Sequence, residues 1–252
     1  MMLRLFHCFT AFAFAITCST GQTGNSLGVT SSTANLFSEE KFITPGKPFI
    51  LALQINHPKD WHSYYIHSGG VELPPHIEWK LPAGFSAGPI QWPVPEVKNG
   101  FFGKSFVYTG SPIFLIEIKP PAVLEIGKSA ELTANAKWQI CKESCINEQK
   151  SFSFTLPIAE NSVKDSAHVE IFKAARKSLP INESSLRVAA NSSGSEIQLR
   201  IAPADAIIGE LTDFIPNQAF VASASAGGKI SREGDTWVIS LKRLKKDALD
   251  QP

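Results

Sequence analysis

Glu131-Leu132-Thr133-Ala134-Asn135-Ala136-Lys137-Trp138-Gln139-Ile140 alternates without a break, apolar at every even position and polar at every odd one. A period of two puts one side of the chain in a core and the other in water, which predicts a strand with one buried face. Ser151 to Leu156 repeats the pattern with Phe152, Phe154 and Leu156 inward, so the intervening segment Cys141-Lys142-Glu143-Ser144-Cys145 bridges two neighbouring strands. Phe49-Leu51-Leu53-Ile55, Ile77-Trp79-Leu81 and Phe114-Ile116-Ile118 add further strands, separated by Pro and Gly. Many short strands with turn signals between them predict an all-β, antiparallel sandwich rather than an α/β sheet.

Beyond Pro157–Ser162 the pattern changes. A helix is expected over about 164–178, where Ser162 and Asp165 resemble a capping box, Ile171, Phe172, Ala175 and Leu179 share a face, and Pro180 ends it. Alternation then returns in Leu186-Val188, Ile197-Leu199-Ile201 and Trp237-Ile239-Leu241, with Asn191-Ser192-Ser193-Gly194 and Ala226-Gly227-Gly228 as the separators. The expected organisation is a leader over 1–21, a sandwich domain over 28–160 and a smaller β-rich domain with one helix over 163–245. The last has a single histidine, His168, and no cysteine, so it carries no visible catalytic constellation.

The N-terminus has the order of a secretory signal peptide: a charge at Arg4, an apolar run from Phe9 to Ile16, then Thr17, Ser19, Thr20 and Gly21. Cys18 invites a lipoprotein reading, but Thr17 stands where Gly, Ala or Ser is usual, so an N-terminal lipid is the lesser expectation. No later apolar run reaches the roughly 18 residues of a membrane span. The formal charge is +1, and it falls to about zero once Arg4 is removed. That balance excludes a nucleic-acid or anionic-membrane surface. The one basic cluster, Lys242-Arg243-Lys245-Lys246, reads as a solvated terminus.

Of the four cysteines, Cys8 and Cys18 lie in the leader, leaving Cys141 and Cys145 as the candidate active centre of an exported chain. Two thiols in an oxidising compartment form a disulfide, either redox-active or a plain staple. A ring this short removes only about 2 kcal/mol of chain entropy, and a staple gains more by joining distant strands. Zinc falls short on ligand count: the other candidates, His57, His62, His67 and His76, lie in a different segment and read as surface or loop histidines. No metal and no cofactor are expected.

Trp61-His62-Ser63-Tyr64-Tyr65, Leu73-Pro74-Pro75, Ile77-Glu78-Trp79, Leu81-Pro82-Ala83-Gly84-Phe85, Gly88-Pro89-Ile90-Gln91-Trp92-Pro93 and Trp138-Gln139-Ile140-Cys141-Lys142-Glu143-Ser144-Cys145 together resemble the N-terminal periplasmic domain of the thiol:disulfide interchange protein DsbD and its ScsB-like relatives. The resemblance runs over about 28–160, and the part from 163 onward resembles the second β region of the longer ScsB-type proteins. It implies an immunoglobulin-like sandwich that relays electrons to thioredoxin-fold periplasmic partners from a membrane thiol–disulfide donor. It further implies that Cys145 forms the mixed disulfide and Cys141 resolves it. Asn99-Gly100-Phe101-Phe102-Gly103-Lys104-Ser105 matches the cap loop, with Phe101, or second Phe102, shielding the disulfide between Gly100 and Gly103; Tyr64 and Tyr65 take supporting places. Three departures stand out. The best-known members space their cysteines more widely, they place acidic residues before the cap aromatic where this chain has Asn99 and Gly100, and they carry the membrane and thioredoxin-like domains that this chain, ending at Pro252, does not include. A separate membrane donor is therefore expected for a protein-disulfide reductase type of activity. The other reading left open is a non-catalytic periplasmic module that binds a protein partner, copper or zinc and holds its loop with a structural disulfide.

Overall fold

A computed structural model describes residues 31–100, 103–207, 209–216 and 228–243. Its first sheet runs in the order β1 (Thr33–Ser38), β2 (Phe49–Asn56), β8 (Ile113–Lys119), β5 (Ser86–Gln91). The second runs β10 (Cys145–Pro157), β9 (Ser129–Cys141), β3 (His62–Tyr64), β7 (Gly103–Thr109), β6 (Glu96–Gly100). One edge of β9 is shared: β4 (His76–Lys80) pairs with its middle, Thr133 to Lys137, and His62 of β3 pairs with Cys141 at its end. All of these pairings are antiparallel, and the two sheets face each other as the antiparallel sandwich that the alternation predicts, immunoglobulin-like as the resemblance implies.

Parity decides which side chains meet. Leu51, Leu53 and Ile55 of β2 and Phe114, Ile116 and Ile118 of β8 oppose Leu132, Ala136, Trp138 and Ile140 of β9 and Phe106 and Tyr108 of β7 in one buried cluster. Phe114 stacks edge-on against Trp92 and Tyr108 at centroid distances of 5.5 and 5.2 Å, an arrangement favoured by the ring quadrupoles. The Tyr108 hydroxyl donates to the Pro93 carbonyl at 2.7 Å, so its polar end is satisfied inside the core.

β2 is buried on both faces, which explains the apolar even positions of Phe49-Ile50-Leu51-Ala52. The outer face, Ala52 with Leu115 of β8, is covered by Phe172 and Ala175 of α1 (Val169–Ser178). The helix thus lies against the sandwich, in a third layer. It begins five residues later than the sequence suggests. Ser162 and Asp165 do not cap it: the Ser162 hydroxyl accepts from Phe42 N–H and the Asp165 carboxylate from Ala167 N–H, so both serve the connection that bridges Glu40 to Lys164. His168 precedes the helix with no side-chain cap.

An ion network clamps this layer. Glu39, almost fully buried at the end of β1, takes Arg176 of α1 at 2.6 Å and Lys164 at 3.0 Å. Burial raises the Glu39 carboxyl, but the hydrogen bonds from Arg176 and then Lys164 outweigh it and hold it below the usual 4.5. A carboxyl lowered in the fold adds stability above its unfolded value and loses that contribution as pH falls through the folded one. Glu39→Gln should therefore lower the urea midpoint at pH 7, and the gap from wild type should close as pH drops below 4.5. A gap that stays constant down to the acid range would contradict this assignment.

The third sheet, β11 (Arg187–Ser193), β12 (Glu196–Ala202), β14 (Thr236–Lys242), β13 (Lys229–Glu233), has its own small core of Ile197, Ile239 and Leu241. The separator expected at 191–194 proves shorter: Asn191, Ser192 and Ser193 stay in β11 as an exposed edge, and only Gly194, at φ +56°, and Ser195 make the turn. Ile215 packs against the sandwich core, and Asp213 pairs with Lys104 of β7. Among the described residues no helix is long and apolar enough to cross a membrane.

Candidate functional site

The β9–β10 hairpin sets Cys141 directly opposite Cys145, and their sulfurs form a disulfide of 2.03 Å. Lys142 N–H donates to the Ser144 carbonyl at 3.1 Å and closes the turn. That bond makes the cysteines the next, non-hydrogen-bonded pair of the ladder, where antiparallel backbones come closest; their Cα atoms are 4.1 Å apart. Because Trp138 and Ile140 point into the core, Cys141 and Gln139 project from the outer face of the sheet, with Cys145 and Asn147 opposite them.

The two sulfurs sit in different surroundings. Cys141 is 3% exposed, covered by Tyr64 of β3 and Val107 of β7, whereas Cys145 is exposed. His62, cross-strand from Cys141, has its Nε2 3.1 Å from the Tyr64 hydroxyl. Burial pushes the Tyr64 hydroxyl up to about 12 and lowers His62, so both are neutral near pH 7. The buried sulfur therefore has apolar and neutral polar neighbours rather than a cation. Gln139 Oε1 lies 3.8 Å from Cys141 Sγ. A disulfide sulfur has no proton to give, so in this state the approach is a contact; after reduction the same oxygen faces a thiol donor.

Second contacts hold the hairpin in place. Gln139 accepts from Leu73 N–H at 3.3 Å and donates to Asn147 Oδ1 at 2.9 Å. On the core side, the Glu148 carboxylate accepts from Ser32 N–H at 2.9 Å, the Ser31 hydroxyl at 2.8 Å and the Trp138 indole at 2.8 Å, tying β10 to the start of β1. Lys142 reaches Asp60 at 3.3 Å on the exposed side of the turn.

Of the residues singled out in the sequence, the structure brings Cys141, Cys145 and Tyr64 together. Tyr65, one residue on, faces the other way and packs edge-on against Trp92 and Tyr108 in the core. Gly100 and Gly103 pair with each other across β6 and β7, and Phe101 and Phe102 lie outside the described residues. Of the four histidines, His57 and His67 lie in loops as expected, whereas His62 lies in β3 and His76 opens β4; His57 is drawn down to about 4 by burial while its Nδ1 sits 3.1 Å from the Gly110 carbonyl oxygen. Among the described residues no three His, Cys, Asp or Glu side chains converge as a metal site. His62, Val107, Gln139 and Asn147 join the site without having been expected there. Parity points to Gln139 and Asn147, each two residues from a cysteine; His62 and Val107 arrive by long-range pairing and leave no local signal.

Residues 33–157 match the family model described as thiol:disulfide interchange protein DsbD, N-terminal. Among solved structures, the N-terminal periplasmic domain of ScsB from Proteus mirabilis superposes with a TM-score of 0.58 at 16% identity, over 84% of this chain and 79% of that one. At that identity the likeness is one of fold, and its coverage reaches past residue 157 into the third sheet's region. Spo0M, a sporulation control protein from Bacillus subtilis, aligns over 68% of this chain and 78% of its own at 10% identity, with a TM-score of 0.24 that carries no argument. No curated protein matches the chain.

Proposed function

Residues 33–157 belong to the N-terminal domain family of the thiol:disulfide interchange protein DsbD, and on that premise we propose that this chain is a periplasmic exchange module that passes electrons through Cys141 and Cys145. The observation that carries this reading is the unequal exposure of two bonded sulfurs on the outer face of the sheet. A thiolate of a thioredoxin-fold partner attacks the exposed Cys145 Sγ, a partner–Cys145 disulfide forms, and Cys141 leaves as a thiolate that takes a proton. The second thiol of the partner then attacks its own sulfur in the mixed disulfide and releases reduced Cys145. Two thiols of the partner have become one disulfide, and two electrons rest on this chain. The reverse sequence delivers them to the next acceptor.

In this reading residues 28–160 are the exchange domain, α1 packs on its outer face, and the β-rich remainder up to residue 245 forms a second domain. The resemblance gives Phe101 the shielding role over the disulfide, with Phe102, Gly100 and Gly103 as its loop. Cys145 is the residue that meets the partner and Cys141 the one that resolves, in keeping with their burial.

Thiol transfer tests the proposal. The full chain, reduced and freed of reductant, is mixed with an oxidised thioredoxin-fold protein, quenched in acid and alkylated. Loss of two labels from this chain for each disulfide opened in the other is the expected result. Retention of both labels after prolonged mixing would leave a structural disulfide and a binding module.

A further inference from the structure

The outer face that carries the two sulfurs also carries a groove of about 580 Å³, bounded by Leu73, Pro74 and His76 on one side and floored by Lys137, Asn147 and Gln149 of β9 and β10. Its floor begins two residues along the strands from the sulfurs, at Asn147. Gln139 and Asn147 form the next same-face pair after Cys141 and Cys145, and Lys137 and Gln149 the one after that. Each step is about 7 Å along the strands. The wall is fixed to the same pair, because Leu73 N–H bonds Gln139, whose other end holds Asn147.

The wall is also apolar where solvent would favour polar residues. Leu73 is 56% exposed and Val71, two residues earlier, 82%. Lys137 is engaged by Glu78 at 2.6 Å, and Glu148, which also lines the groove, by Ser31, Ser32 and Trp138, so the floor offers the Asn147 and Gln149 amides beside charges that already have partners. An apolar ridge beside an amide-lined floor fits an extended, uncharged polypeptide: its side chains lie on the ridge and its backbone bonds the amides. Exposed Cys145 stands two residues along β10 from Asn147, so the residues flanking a cysteine joined to it come within reach of this floor.

We infer that the groove is a specificity subsite for the segment flanking the partner's cysteine, and that it prefers an apolar residue there, lying against Leu73 and Pro74. The inference rests on the exchange reading above. In each exchange the partner thiolate forms its bond to Cys145 Sγ while the Cys141–Cys145 bond breaks; the subsite takes no part in that electron flow and acts on how the attacking sulfur is held.

The test uses the full oxidised chain and two acetylated, amidated pentapeptide thiols, one with leucine on each side of its cysteine and one with glutamate. Reduction is followed by alkylation of Cys141 and Cys145, the peptide being oxidised to its disulfide. The rate with the leucine peptide, divided by the rate with dithiothreitol on the same variant, should fall about tenfold in Leu73→Asp, the size expected for one lost apolar contact, and should also fall in Asn147→Ala/Gln149→Ala. The glutamate peptide should show the smaller ratio on the wild type and little change in the variants. If dithiothreitol reduces the pair but the leucine-peptide ratio is the same in all three proteins, the subsite is overturned and the exchange reading stands. If dithiothreitol leaves the pair intact, the exchange reading falls and takes the subsite with it. If Leu73→Asp shifts a monomer–dimer equilibrium while leaving the ratio unchanged, the groove is a contact between copies of this chain and the inference is wrong.

Discussion

Cys141→Ser should accumulate long-lived mixed disulfides with a thioredoxin-fold partner, at a level about tenfold or more above Cys145→Ser under the same conditions. Exchange proceeds by attack of one thiolate and resolution by a second thiol. With Cys141 gone, exposed Cys145 still meets the partner, but among the described residues no other thiol can release it. With Cys145 gone, the remaining thiol among the described residues, Cys141, is 3% exposed behind Tyr64 and Val107. Burial there blocks the approach of a second chain. Non-reducing electrophoresis of each variant mixed with the partner reads the difference. The reverse pattern would exchange the roles and keep the relay. No trapping by either variant, with donor and acceptor present, would favour a binding module.

Phe172→Ala should destabilise the sandwich itself by about 3 kcal/mol, although it lies in α1, beyond the sandwich strands. Phe172 is 1% exposed and packs on Ala52 and Leu115, the outer face of the first sheet. Truncation leaves a cavity between two layers and removes the largest buried side chain of the cluster that covers the two strands. The helix is held at its C-terminal end as well, by Arg176 on Glu39 and by the Ser178 carbonyl, which accepts from Val94 N–H at 2.8 Å. A single urea transition with a lowered midpoint is expected. Val169→Ala, on the same helix at an exposed position, should change it by no more than about 0.5 kcal/mol. A shift below about 1 kcal/mol for Phe172→Ala, or a helix that melts in a separate transition, would show that α1 is not part of the sandwich.

Strict alternation makes much of this fold legible in the residues alone. The period of two in Leu132 to Ile140 sets β9, its core face and, by parity, the outward projection of Cys141. β2 and β8 follow from Phe49-Leu51-Leu53-Ile55 and Phe114-Ile116-Ile118 in the same way. β1 and β13 give no such signal because, as short edge strands, they carry too few inward apolar residues to show a period. β5 contains Gly88 and Pro89, and its register with β8 shifts between Ala87 and Ile90, which hides its alternation. The helix start is misleading in the sequence because Ser162 and Asp165 have cap chemistry but direct it to Phe42 and Ala167. The difference between the two sulfurs is invisible in their sequence neighbours. It depends on Tyr64 and Val107, brought over Cys141 by the β3–β7 and β3–β9 pairings, and on a backbone path that leaves Cys145 uncovered.

The reduction potential of the Cys141–Cys145 pair tests the central claim most directly. The full chain is equilibrated across a series of dithiothreitol and glutathione redox buffers, quenched in acid and alkylated, and the labelled fraction of both cysteines is counted by mass spectrometry. An exchange module should titrate as one two-electron couple between about −180 and −270 mV, within the range of known thiol–disulfide exchange proteins. A pair that stays oxidised to below about −300 mV would be a structural disulfide and would contradict the account.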